Sequence, residues 1–152
     1  MNCGRAETLQ TGHDLTLLAL GSLVYPALEV AERLREDGVE ATVVNARFVK
    51  PLDRAMLRQV ATHTGALVTL EEAQVAGGFG SAVSEALEVM GLPGVPLHRI
   101  GLPDGFVEHG TRNQLLKLCE LDSESLTRRI QAWYATLKRA DNVSSLTSHP
   151  IA

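Results

Sequence analysis

A chain of 152 residues is the length of one domain and is long enough to bury a sizeable core. Hydrophobic residues make up 45% and charged residues 21%, and a net charge of −4 offers no global basic field to nucleic acid or an anionic membrane. Cys3 and Cys119, the only cysteines, form neither a CxxC pair nor a metal spacing, which argues against a disulfide framework and for a reducing, cytoplasmic setting. The first residues carry no apolar signal region, and no apolar run reaches the length of a membrane span.

The run Leu15-Thr16-Leu17-Leu18-Ala19-Leu20 reads as a strand buried on both faces, ending at Gly21-Ser22. A helix follows, with Val24, Ala27, Leu28, Ala31 and Leu34 on one stripe, Pro26 in its first turn and Gly38 as its stop. Residues 41–45 are the next strand, and 47–52 a loop, because Pro51 pushes Lys50 out of helical geometry. Asp53 caps a helix that runs to about His63 and closes at Gly65. A third strand spans 66–71 and a third helix 81–90, with Val83, Leu87 and Met90 facing inward. Pro93 and Pro96 bracket a loop before a strand at 97–100. Thr111 and Gln114 form a capping box for a fourth helix, and Asp122 caps a fifth with the stripe Leu126, Ile130, Trp133 and Leu137. Strand and helix alternate, so right-handed βαβ units and a parallel sheet covered on both faces are expected. Residues 6–9 add a candidate edge strand turning back at Gly12. The domain is expected over 4–139, and the polar stretch 140–152 is expected to be a disordered tail.

Gly78-Phe79-Gly80-Ser81-Ala82-Val83 is nearly GxGxxG, with Val83 in place of the last glycine and the motif several residues past its strand. Two readings are open: a helix N-terminus offered to an anion, or glycines that let a loop pack close to a helix. Glu71 and Glu72 end a strand at its carboxyl edge, where acid–base residues collect. Neighbours in a strand point to opposite faces, so the two form no dyad without a bend, and one is expected to tie a loop or face solvent. His13, His63, His98, His109 and His149 are scattered without metal spacing, and His109 alone, in a loop after a strand, is a site candidate. Arg47 and Lys50 are open to phosphate, to solvent or to an interdomain ion pair.

The segments Asn45-Ala46-Arg47-Phe48-Val49-Lys50-Pro51-Leu52-Asp53, Thr69-Leu70-Glu71-Glu72, Gly77-Gly78-Phe79-Gly80-Ser81-Ala82-Val83 and Gly101-Leu102-Pro103-Asp104-Gly105-Phe106-Val107-Glu108-His109-Gly110 occur in that order. Together they resemble the C-terminal domain of the 1-deoxy-D-xylulose-5-phosphate synthases, a transketolase-like family, over about residues 4–137. The resemblance implies a three-layer α/β/α fold with a mostly parallel five-stranded sheet whose first strand, 6–9, is antiparallel at the edge. It further implies a full enzyme that condenses pyruvate with glyceraldehyde 3-phosphate, with loss of CO₂, for isoprenoid precursors. Thiamine diphosphate and Mg²⁺ would serve that enzyme from two preceding domains. This chain lacks the family's Gly-Asp-Gly cofactor motif, so catalytic, cofactor-binding and metal residues are expected to be none. Its role would be structural: packing on the thiamine-binding domains of a parent enzyme and in a homo-oligomer, and inactive alone, with no nucleic acid or membrane as partner. Glu71, Glu72, Gly77, Gly78, Phe79, Gly80, Phe106 and His109 are the structural or interface candidates, and Phe79 and Phe106 are either sticky surface residues or core plugs. The rivals are a free-standing module that binds a small anion, and a docking subunit of a split transketolase-like enzyme.

Overall fold

The computed structural model describes residues 4–103 and 111–147. Five strands form one sheet: β1 (Glu7–Gln10), β2 (Leu15–Ala19), β3 (Ala41–Asn45), β4 (Leu67–Gln74) and β5 (Leu97–Leu102). Their spatial order is β1-β3-β2-β4-β5. β1 runs antiparallel to β3, and every other neighbouring pair is parallel. The mostly parallel sheet with an antiparallel first edge strand is the architecture expected.

Every residue of β2 is buried, as a central strand covered on both faces requires. Alternation then sends side chains into two separate cores. Leu15, Leu17, Val43, Val68 and Ile100 pack beneath α1 (Val24–Glu36) and α5 (Ser123–Thr147). Leu18, Val44 and Leu67 pack beneath α2 (Arg54–Thr64) and α3 (Phe79–Val89). α4 (Arg112–Leu118) buries none of its residues.

The caps sit where local chemistry puts them. Asp53 Oδ1 accepts from the Met56 N–H at 3.0 Å and Gly65 ends α2. Thr111 and Gln114 make the reciprocal box of α4. Asp122 Oδ1 accepts from the Ser125 N–H at 3.1 Å. On α5 the stripe also includes Tyr134, which is buried and whose hydroxyl meets Asp14 Oδ1 at 3.3 Å.

Several element bounds differ from expectation: β1 runs over 7–10 rather than 6–9, and β5 continues two residues past Ile100. β4 continues three residues past Glu71, with a register shift against β5 between Leu70 and Gln74. α3 begins at Phe79 rather than Ser81. α5 continues to Thr147 through the polar stretch that begins at Ala140.

Candidate functional site

The carboxyl end of β4 and the start of α3 meet around one side chain. Glu71 is 1% exposed, on the α2/α3 face of the sheet. Its Oε2 accepts from the Phe79 N–H at 2.6 Å and its Oε1 from the Gly80 N–H at 2.8 Å. These are two of the four backbone donors that the first turn of a helix leaves without helical partners. The buried carboxylate therefore caps α3 from a neighbouring strand and meets the positive end of its dipole.

This arrangement explains the glycines. A Cβ on Gly78 would stand inside contact distance of Glu71 Oε2 and the Gln74 carbonyl oxygen. A Cβ on Gly80 would stand 2.6 Å from Thr69 Oγ1 and 2.9 Å from Arg99 Cγ. Both positions are close approaches that only glycine permits. Ser81 ties the turn: its hydroxyl donates to the Val75 carbonyl at 2.9 Å and accepts from the Gly77 N–H at 3.1 Å. Arg99 Nη1 also reaches Ser81 Oγ, at 3.2 Å. Thr69 Oγ1, beneath Gly80, is buried without a partner among the described residues.

Glu72 points the other way, as a strand demands. Its Oε2 accepts from Arg112 Nη2 at 2.8 Å and from the Ser22 hydroxyl, joining β4 to α4 and to the turn after β2. The hydrogen bond from Arg112, then that from Ser22, holds its carboxyl below the ordinary carboxylate range despite partial burial. The adjacent carboxylates thus face opposite sides of the sheet and form no acid–base pair.

Phe79 is 1% exposed and fills the core between α3, β3 and α2. Of the two readings open for Phe79, it is the core plug. Phe106 and His109 lie outside the described residues. Arg47, half-buried with φ 59°, pairs with Glu7 of β1, and its N–H donates to Asn45 Oδ1 at 3.1 Å. His98 stacks on Trp133 of α5, with ring centroids 5.3 Å apart and planes 14° from parallel. Burial, and then the positive charge of Arg129, lowers the His98 pKa.

On the outer side of α3 lies a groove of about 580 Å³ that the sequence pattern did not reveal. The 49–52 loop and Arg54 form one wall, and Ser81, Glu85 and Val89 form the other. Val89 is 71% exposed and Val49 38% exposed. The signal was present: Val89 is a large apolar residue off the inward stripe of Val83 and Leu87.

The donor set does not fit a thiamine diphosphate–Mg²⁺ group. A carboxylate already occupies the two amides at the head of α3, and it would repel a diphosphate there. No group of three His, Cys, Asp or Glu among the described residues has the geometry of a metal site. No helix among the described residues is long and apolar enough to cross a membrane.

Residues 4–126 match the family model for the transketolase C-terminal domain. The chain belongs to that family. A 1-deoxy-D-xylulose-5-phosphate synthase of Thermomicrobium roseum is 49% identical over 138 residues, 91% of this chain and 22% of that protein. The namesake of Desulforudis audaxviator is 55% identical over 112 residues, 74% of this chain and 18% of that protein. The chain thus spans about a fifth of the length of the curated relatives it matches. Among solved structures, one described as a split-gene transketolase, inactive β4 tetramer, superimposes with a TM-score of 0.81 at 38% identity. The match covers 87% of this chain and 43% of that one. A Campylobacter jejuni transketolase matches with a TM-score of 0.60 at 22% identity, over 85% of this chain and 18% of that one, a likeness of fold.

Proposed function

We propose that this chain is the C-terminal structural and oligomerisation domain of a cytoplasmic 1-deoxy-D-xylulose-5-phosphate synthase. The whole enzyme would condense pyruvate with glyceraldehyde 3-phosphate and release CO₂. The carrying observation is the match of about half the residues to synthases over only about a fifth of their length. The Glu71 geometry supports a scaffold over the anion-module rival, because the helix terminus that such a module would use is closed by the protein's own carboxylate. Decarboxylation of a 2-oxo acid needs a cofactor that serves as electron sink, and thiamine diphosphate would supply it from the parent's preceding domains. This domain's contribution is to hold those domains in place.

The test replaces the matched segment of the Thermomicrobium roseum synthase with this chain. Deletion of the segment is expected to abolish synthase turnover, and the replacement to restore it. The chain alone, given both substrates, thiamine diphosphate and Mg²⁺, is expected to show no turnover above a cofactor-only control. Turnover by the chain alone, or a replacement no better than the deletion, would overturn the reading. The split-gene structure supports the second arrangement, a docking subunit on separate catalytic chains. Restoration by the unlinked chain added in trans would favour it.

A further inference from the structure

We propose that the groove between the 49–52 loop and α3 is the seat of the parent enzyme's preceding domain, whose docking face carries an apolar side chain beside carboxylates. The inference rests on the functional reading above and assigns the surface through which that role is exercised.

The first argument is where the chain enters the fold. Gly4 lies against Pro51, where an added Cβ would stand 2.7 Å from Pro51 Cγ. The Ala6 N–H donates to Asp53 Oδ2 at 3.0 Å, and Arg5 approaches Asp53 Oδ1 at 4.0 Å. The segment that leads into β1 therefore lies against the groove's loop at Pro51 and is fastened to the neighbouring α2 cap, Asp53. The family model begins at Gly4. In the longer relatives, the polypeptide preceding the domain would join it at this rim. A tethered neighbour is present at high effective concentration, so even a modest surface beside the tether becomes its seat.

The second argument is chemical. Val49 and Val89 offer apolar surface to the same groove from opposite walls. Lys50 and Arg54 line the loop wall, and neither side chain has an ion pair or a hydrogen bond among the described residues. Glu85 stands opposite them. Two unpaired cations against one carboxylate make a positive groove on a chain whose net charge is −4. Apolar contact beside charged groups is what an interdomain surface offers. The charge complement is a carboxylate on the partner.

The test labels a cysteine at the groove. In a Cys3→Ser, Cys119→Ser background, Val89→Cys is reacted with a maleimide, first in this chain alone and then in the Thermomicrobium roseum chimera. Labelling is expected to slow by about tenfold or more in the chimera, as burial beneath a neighbour would require. Adding Lys50→Glu and Arg54→Glu is expected to return most of the rate. Equal labelling rates in an active chimera overturn the groove assignment and leave the proposed function standing. Equal rates in an inactive chimera overturn both. Protection in an inactive chimera upholds the seat and counts against the functional reading. Protection that survives the double charge reversal overturns the partner chemistry. The same comparison on the chain mixed with the separately produced remainder of the synthase covers a chimera that does not fold.

Discussion

Two consecutive glutamates on β4 hold two different helices, and by different physics. Glu71 is sealed under α3 and accepts from the backbone donors of that helix. Glu72 lies at the surface and pairs with a side chain of α4, a helix that buries nothing. Strand geometry alone separates them: one residue of advance moves a carboxylate from one face of the sheet to the other. A buried acceptor removed leaves its donors without partners and without water, whereas an exposed ion pair removed is replaced by water on both sides. The difference between structural anchor and surface tie is therefore one of burial rather than of residue type.

The largest effect is expected at the anchor. Glu71→Ala strips the head of α3 of two hydrogen bonds, each costing about 1–3 kcal/mol when the donor stays buried, so a loss of about 4 kcal/mol is expected. Urea unfolding monitored by Trp133 fluorescence measures it. A loss within about 0.5 kcal/mol would make Glu71 no more than a surface residue and collapse the comparison. Next comes Gly78→Val, which forces a side chain onto the Glu71 carboxylate and the Gln74 carbonyl, with an expected cost of about 3 kcal/mol. The two changes share a contact, so the double variant is expected to lose clearly less than the sum of the singles. Additive losses would mean that the glycine serves something other than the approach of Glu71.

The same contrast explains which parts of the fold were legible in the sequence. β3, α2 and the caps at Asp53, Thr111 and Asp122 are encoded in neighbouring residues, by an apolar run, a helical stripe and a side chain three positions from its amide. The start of α3 is not encoded that way. Gly77-Gly78-Phe79-Gly80 reads locally as a turn, yet the helix begins at Phe79 because an acceptor eight residues earlier in the chain, on the adjoining strand, satisfies its amides. Glycine before a helix signals a close approach, but nothing in the spacing says what approaches. The burial of Phe79 follows from that same helix start, since the first helical turn points the ring into the core. That the two carboxylates face opposite sides was legible, because period two demands it; which of them is buried was not. The groove had only the hint of Val89, because its two walls are distant in the chain and meet only in the fold.

A smaller effect is expected where α5 lies on β5. The folded His98 has a pKa below its ordinary 6.5, through burial and then Arg129. The unfolded chain therefore takes up the proton first as pH falls, and stability drops through and below pH 6.5. Above about pH 7.5 the group is neutral in both states and contributes no slope. His98→Phe keeps a ring against Trp133 and removes the proton site. Urea midpoints at about pH 7.5 and about pH 5.5 are expected to differ less in the variant than in the wild type. An unchanged difference would show that His98 does not titrate against folding.

The smallest effect belongs to the surface tie. Arg112 and Ser22 lower the pKa of Glu72 below the ordinary 4.5. A depressed carboxylate stabilises the fold above its unfolded pKa and loses that contribution as pH falls through the folded value. Glu72→Gln removes the charge but keeps a hydrogen-bond acceptor. At pH 7 the unfolding midpoint is expected to stay within the scatter of surface substitutions, because solvent and salt screen an exposed pair. What difference exists is expected to shrink on adding salt, and to vanish once the pH lies below the folded pKa, where the wild-type carboxyl is protonated too. The α4 capping box of Thr111 and Gln114 survives the change, so the helix itself is expected to persist in far-UV circular dichroism. A loss at Glu72 as large as the one at Glu71 would reverse the comparison: α4 would then depend on its tie to β4, and the outer carboxylate would be the structural one.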